Sequence, residues 1–331
     1  MNFPTTAGAT LRYSRPMSTL VRALLVAALA LPAFAEAPRE YRVGMLMPAP
    51  FSAGGYFKAF EDELARLGFV EGRNLRIIRR AVDASIDSAA AALVAERPDV
   101  LVTEGTLLTQ ALQRATPTLP LVFAGTADPV RSGLVAALAH PGGHTTGVVN
   151  LECELTRKRL EVMREILPPP RRLVVLRPKT DPPLCPIDAK DLDALQARLH
   201  EDATTNLEDF RAFMQQLVRT RPEGIVGSAI SGEPTDPDVQ IARELLGKIP
   251  LAADGDGWTR EAALVALKVD GAEVQRRAAS QVARILGGAR AGDLPVETAT
   301  RFHLTVNLKR AAELGVKVPQ TVLLRADRVV E

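Results

Sequence analysis

The sequence predicts an α/β protein built as two parallel-sheet units in series. Short apolar runs with strand character alternate with stretches of helical apolar period, and the alternation runs through the chain twice. At 331 residues, 47% hydrophobic and 24% charged, the length suits two domains or one bilobal unit.

The first unit is expected to begin with a buried strand from Arg42 to Met47. Phe57, Phe60, Leu64 and Leu67 then recur at helical spacing, and Gly68 is expected to end that helix as a left-handed cap. A strand follows over Leu75 to Ile78, then a helix through Ala89, Leu93 and Val94 that stops before Pro98. Val100 to Val102 predicts a third strand and Leu107 to Ala115 a helix. Leu121 to Phe123 predicts a fourth strand, Gly133 to Ala139 a helix and Gly147 to Val149 a fifth strand. Short apolar strands separated by helices describe a parallel sheet covered on both faces.

In the second unit a helix is expected over Thr156 to Leu167, ended by Pro168-Pro169-Pro170. Strands are expected over Leu173 to Leu176, Ile225 to Ile230, Pro250 to Ala253 and Leu264 to Leu267, with helices over Leu207 to Val218 and Val239 to Leu246. A helix through Val274, Ala278, Val282 and Ile285 ends at Gly287-Gly288, and the tail carries a strand over Phe302 to Val306 and a helix to Leu314. Ala194 to Glu201 fits either the continuation of a helix or an edge strand, and a truncated edge is preferred.

The N-terminus carries the pattern of a secretory signal peptide. Arg12, Arg15 and Arg22 precede the apolar run Ala23 to Leu31, and Ala33-Phe34-Ala35 places small residues at a cut before Glu36. That run is shorter than the roughly 20 residues a bilayer span needs. The mature chain is expected in the periplasm, without a lipid anchor because Glu36 is not cysteine. A formal charge of +2 gives no basic face for nucleic acid. An exported compartment permits a disulfide between the two cysteines, Cys153 and Cys185, but two thiols are no framework and small buried side chains are the preferred expectation. No cofactor or metal is expected: His140 and His144 flank a Pro-Gly-Gly turn, and no Cys/His cluster exists. The G-x-S-x-G elbow, the phosphate-binding G-x-x-x-x-G-K-[ST] loop and the strand-linked G-x-G-x-x-G are all missing, so no catalytic residue is assigned and an enzyme is not expected.

Ligands of open parallel sheets bind beyond the carboxyl ends of the strands, where helix N-termini point. In the first unit this selects Ser52 and Tyr56, Gly105 and Thr106, Thr126 and Asp128, and Asn150. In the second it selects Ser228, Asp254 and Asp256. Glycine admits close backbone approach, and free N–H groups at a helix start suit a carboxylate. Thr106 has a competing reading as an N-cap, and Asp128-Pro129 as a turn.

Three blocks carry a family resemblance. Glu63 to Asn74, reading ELARLGFVEGRN, is similar to a segment of bacterial ABC transporter substrate-binding proteins whose members include tryptophan- and tyrosine-type binders. Asp128-Pro129-Val130, Ser132 to Val135 and His140 to Gly143 resemble a second block of that family, and Leu294 to Glu297, Phe302 to Lys309 and Leu323 to Asp327 a third. The resemblance implies a type I periplasmic binding protein: two Rossmann-like lobes with parallel sheets, joined by three crossover segments, with the ligand cleft between. It implies a signal peptide over 1–35, one lobe from 41–150 with 266–294, and the other from 151–265 with 295–331. The crossovers are expected near Asn150 to Cys153, Ala262 to Leu267 and Pro295 to Phe302. It further implies a monomer that captures a small polar, amino-acid-like molecule and hands it to an ABC permease. A periplasmic ligand sensor acting on a membrane kinase or cyclase is the alternative. The chain departs from the family at Lys268-Val269-Asp270, and it carries Ser228, Ser231 and Asp254 where aromatics often stand.

Overall fold

The computed structural model describes residues 39–48, 57–82, 85–169, 172–178, 197–202, 207–227, 236–260 and 262–331. The signal-peptide expectation, Ser52, Tyr56 and Ser228 lie outside them. Among the described residues no helix is long and apolar enough to cross a membrane.

Alternation of side chains along a strand decides the layering. In β1 (Tyr41–Pro48), Val43, Met45 and Met47 enter one core and Leu46 the other. β2 (Leu75–Val82), β3 (Val100–Glu104), β4 (Leu121–Thr126) and β5 (Thr145–Val149) complete the parallel frame. On one face lies α1 (Lys58–Arg66), which buries Phe60 and Leu64 completely; burying one such side chain stabilises the fold by about 1.5–3 kcal/mol. Phe57 occupies the N-cap position, Gly68 is left-handed at φ 95°, and Leu67 stays 36% exposed rather than joining the core stripe. The other face is covered by α2 (Ile86–Ala95) and α3 (Thr106–Ala115) through Ala90, Leu93, Ala111 and Leu112.

The expected helix over Gly133 to Ala139 is absent. The segment forms consecutive turns instead, because Gly133 takes φ 72° and the amides of Leu134 and Val135 both donate to the Pro129 carbonyl.

The second sheet contains β6 (Leu173–Pro178), β7 (Ala197–Asp202), β8 (Gly224–Gly227), β9 (Leu251–Ala253), β10 (Val265–Val269), β12 (Phe302–Asn307) and β13 (Arg328–Val330). Ala197–Asp202 is an edge strand, as expected, and runs parallel to β6. One face packs on α4 (Glu152–Ile166), α8 (Leu308–Leu314) and α9 (Gln320–Leu323). The opposite face packs on α5 (Leu207–Arg219) and α6 (Asp236–Leu246), with Met214, Leu217, Val239 and Leu246 against Ile225 and Leu251.

After β10 the chain returns to the first sheet. α7 (Gly271–Leu286) adds Ala278, Val282 and Ile285 to its core, and β11 (Glu297–Thr298) pairs with β5. Strand orders are β11-β5-β4-β3-β1-β2 and β13-β12-β10-β9-β8-β6-β7, parallel throughout except for β10 against β12. This places 266–269 in the second sheet and 297–298 in the first. The second crossover therefore lies at Asp270 rather than at Ala262 to Leu267, and the third, at Ala299 to Arg301, falls within the expected Pro295 to Phe302. The physical reason is the antiparallel β10–β12 pair, which keeps Val265 through Val269 in the second sheet and brings both connections side by side.

Cys153 is disulfide-bonded, not the buried thiol expected from the sequence. Cys185, the other cysteine of the chain, lies outside the described residues.

Candidate functional site

At the carboxyl end of β5 the chain leaves the first sheet through Asn150-Leu151, the first of the three crossovers. Leu151 takes the left-handed region at φ 55°, which costs a non-glycine residue roughly 1–2 kcal/mol. The chain turns there directly into α4, so the first crossover is shorter than Asn150 to Cys153.

Asn150 secures the turn from both sides. Its amide donates to the Thr126 carbonyl (3.0 Å), its Nδ2 donates to the Gly125 carbonyl (3.0 Å), and its Oδ1 accepts from the Glu152 amide (3.2 Å). A Cβ placed on Gly125 would lie 3.8 Å from both Asn150 Nδ2 and Glu104 Oε1, so these two side chains converge over that glycine. Glu104 was not singled out from the sequence, although it precedes Gly105 at the end of β3.

The start of α3 has glycine, not threonine, as its cap. Gly105 sits at φ 77° with no side-chain cap, and Thr106 is the first helical residue, 6% exposed. The N-cap reading of Thr106 is therefore incorrect. Thr109 Oγ1 donates to the Gly105 carbonyl (2.6 Å), which fixes the turn while leaving the first-turn amides without an acceptor from the cap. Such a helix start favours an anion. Thr126 is fully buried, and its Oγ1 has no hydrogen-bond partner among the described residues. Asp128 is used locally: its Oδ1 accepts from the Arg131 amide (3.0 Å), and its side chain is 38% exposed.

In the second sheet a buried ion pair lies under the strand ends. Arg159 is completely buried; its Nη1 and Nη2 donate to Glu152 Oε1 (2.6 Å) and Oε2 (2.9 Å). Nη1 also donates to the Gly227 carbonyl (2.9 Å), and Nε to the Leu267 carbonyl (2.8 Å). Burial works against the charged guanidinium, but Glu152 and then Asp254 outweigh it and raise its pKa above the ordinary value. Asp254 follows β9 and is half-buried; Asp256 opens the 3-10 segment Asp256–Arg260. Sequence reading missed the Glu152–Arg159 pair because the helix was expected to start at Thr156. Their spacing of two helical turns, with Thr156 between, was the available signal.

The other two crossovers are tied together by Glu273. Its Oε2 accepts from the amides of Thr300 (3.1 Å) and Arg301 (2.8 Å), and its Oε1 from Thr300 Oγ1 (2.8 Å) and Arg277 Nε (2.9 Å). Although burial opposes ionisation, these donors lower the Glu273 pKa to about 2. Asp270 caps α7 by accepting from the Ala272 amide (3.0 Å).

A separate groove of about 310 Å³, lined by Lys158, Val162, Leu267, Phe302, Leu304 and Arg325, lies on the flank of α4 and contains none of the residues selected from the sequence. Among the described residues no group of histidine, cysteine and carboxylate side chains could hold a metal ion.

The family model for ABC transporter substrate binding proteins matches residues 55–181 and 238–330. The chain belongs to this family. The substrate-binding protein is 25% identical over 273 residues to the tyrosine-binding protein of Clostridioides difficile, covering 76% of this chain and 73% of that one. Its fold matches a conserved domain protein from Vibrio cholerae with a TM-score of 0.76 at 24% identity, covering 88% of this chain and 100% of the other. It also matches the domain from Streptococcus pneumonia in complex with L-Trp, with a TM-score of 0.73 at 20% identity and coverages of 88% and 100%. The mostly parallel two-sheet architecture is that of a type I periplasmic binding protein.

Proposed function

We propose that this substrate-binding protein takes up a small amino-acid-like zwitterion between the carboxyl ends of its two sheets and passes it to an ABC permease, without chemical turnover. The observation that carries the reading is the meeting of opposite preferences at the strand ends. The glycine-capped start of α3 favours a carboxylate, while Glu104 in the first sheet and Asp254 in the second favour an ammonium group. Gly105, Thr106, Thr126, Asp128 and Asn150 would form the first wall, and Asp254 would stand in the second. The buried hydroxyl of Thr126 supports this, since a buried polar group is ordinarily hydrogen-bonded and a ligand supplies such a partner. The signal-peptide pattern supports a periplasmic protein whose mature chain starts at Glu36, acting as a monomer. The names of the relatives make L-tyrosine and L-tryptophan the first candidates.

Calorimetric titration and thermal unfolding with the twenty amino acids test the reading. A ligand present at 100 times its Kd stabilises the protein by about 2.7 kcal/mol. Absence of both heat and stabilisation across the set would overturn it.

A further inference from the structure

The largest fully buried side chain of the described core is not an aromatic residue but Arg159. It lies on the inward stripe of α4 with Leu155, Leu160 and Met163, where an apolar residue would fill the same space without desolvating a charge. Its hydrogen bonds reach in specific directions. Through Glu152 it holds the residue that follows the left-handed Leu151 of the first crossover. Through the Gly227 carbonyl it holds the last residue of β8, and through the Leu267 carbonyl it holds β10 just ahead of the second crossover. Its charge acts on Asp254, which follows β9. β9 lies between β8 and β10, so one guanidinium bonds the two strands that flank it and the helix start that faces them.

Thr156 closes the cluster. Its Oγ1 donates to the Glu152 carbonyl (2.9 Å), which fixes the first turn of α4 on which the carboxylate is carried. Arg159 is fully buried, with Nε, Nη1 and Nη2 each donating to these protein acceptors, so its place is beneath the site rather than on its surface.

The geometry points to Arg159 as a positioning residue for ligand capture, which sets the carboxyl ends of β8 and β10 in the second wall of the site against the first crossover. This rests on the binding reading above. Arg suits such a role better than Lys, because its rigid fork presents five donors in one plane, whereas Lys would offer a single mobile charge.

The test separates positioning from simple packing. Arg159→Met leaves Glu152 buried without its partner and is expected to unfold more easily. The double variant Glu152→Gln/Arg159→Met removes both charges and is expected to recover the wild-type Tm. Amide hydrogen exchange is then compared in the unliganded wild type and double variant. Exchange is expected to rise at least tenfold at Glu152 to Thr156, at Asp254 to Thr259 and at Leu267 to Asp270, and to stay unchanged in β1, β3 and β4. Affinity for L-tyrosine and L-tryptophan is expected to fall at least tenfold despite the recovered Tm. Wild-type exchange at those three segments in the double variant would overturn the proposal, as would wild-type affinity. If the wild-type protein binds neither amino acid, the reading of the ligand class fails, while the exchange comparison still decides the role of Arg159.

Discussion

Replacing Glu273 with glutamine is expected to remove much of the acid sensitivity of this protein. The carboxylate is 8% exposed as a residue and receives the amides of Thr300 and Arg301, the Thr300 hydroxyl and the Arg277 guanidinium. Its folded pKa of about 2 lies below the ordinary 4.5. The depressed value means that the folded state binds this proton less readily than the unfolded chain. The stabilisation is therefore fully present above pH 4.5 and is lost as pH falls from there towards 2. At about 1.4 kcal/mol per pH unit the shift corresponds to at most about 3.5 kcal/mol. Arg277 is 34% exposed at its side chain, so solvent screens part of the effect, and about 2 kcal/mol is expected. Urea unfolding at pH 7 and pH 3 measures most of it: wild type should lose about 1.5 kcal/mol more across this interval than Glu273→Gln, after starting more stable at pH 7. Equal losses in the two proteins would refute the assignment of the depressed pKa to this carboxylate.

Reduction of the Cys153 disulfide, or Cys153→Ser, should cost about 3–4 kcal/mol if the bond closes the loop to Cys185, and denaturant midpoints with and without reductant measure this. Gly147→Ala should cost about 3 kcal/mol or more, read from chemical unfolding, because the added Cβ would sit 2.2 Å from the Phe123 carbonyl oxygen on a backbone at φ 157°. Thr106→Val should weaken amino-acid binding by about 0.5–1.5 kcal/mol in calorimetry. Since Gly105 is the cap, the same change should leave the Tm within a few degrees of wild type.

The strands were legible because their burial is two-sided. Val100-Leu101-Val102 has no exposed member, and such a run reads the same from sequence and from structure. The long helices α1 and α7 were legible because a glycine pair or a left-handed glycine marks where each stops. What escaped was of two kinds. Short pieces such as β11 and β13 owe their existence to a neighbour distant in sequence, and their residues carry no pattern of their own. Charged residues in buried positions read as solvated ones, so Glu152, Arg159 and Glu273 were passed over although they organise the crossovers. The expected helix at Gly133 failed for a local reason, since one glycine at positive φ diverted the chain into turns. Thr106 and Asp128 were found at strand ends as expected, but which of them is a cap or a turn residue depended on backbone angles that composition does not carry.

The return of α7 and β11 to the first sheet has a consequence for how the molecule is made. Val274, Ala278, Val282, Ile285 and Leu294 complete the core begun by Val43, Met45 and Phe60. A nascent chain that has reached only Asn150 has all the central strands of that sheet but lacks α7, which shares one apolar face with α1. Its first lobe therefore cannot close until synthesis has passed Ala299, near the end of the chain. Connectivity alone ties completion of the first lobe to a segment made near the end of synthesis.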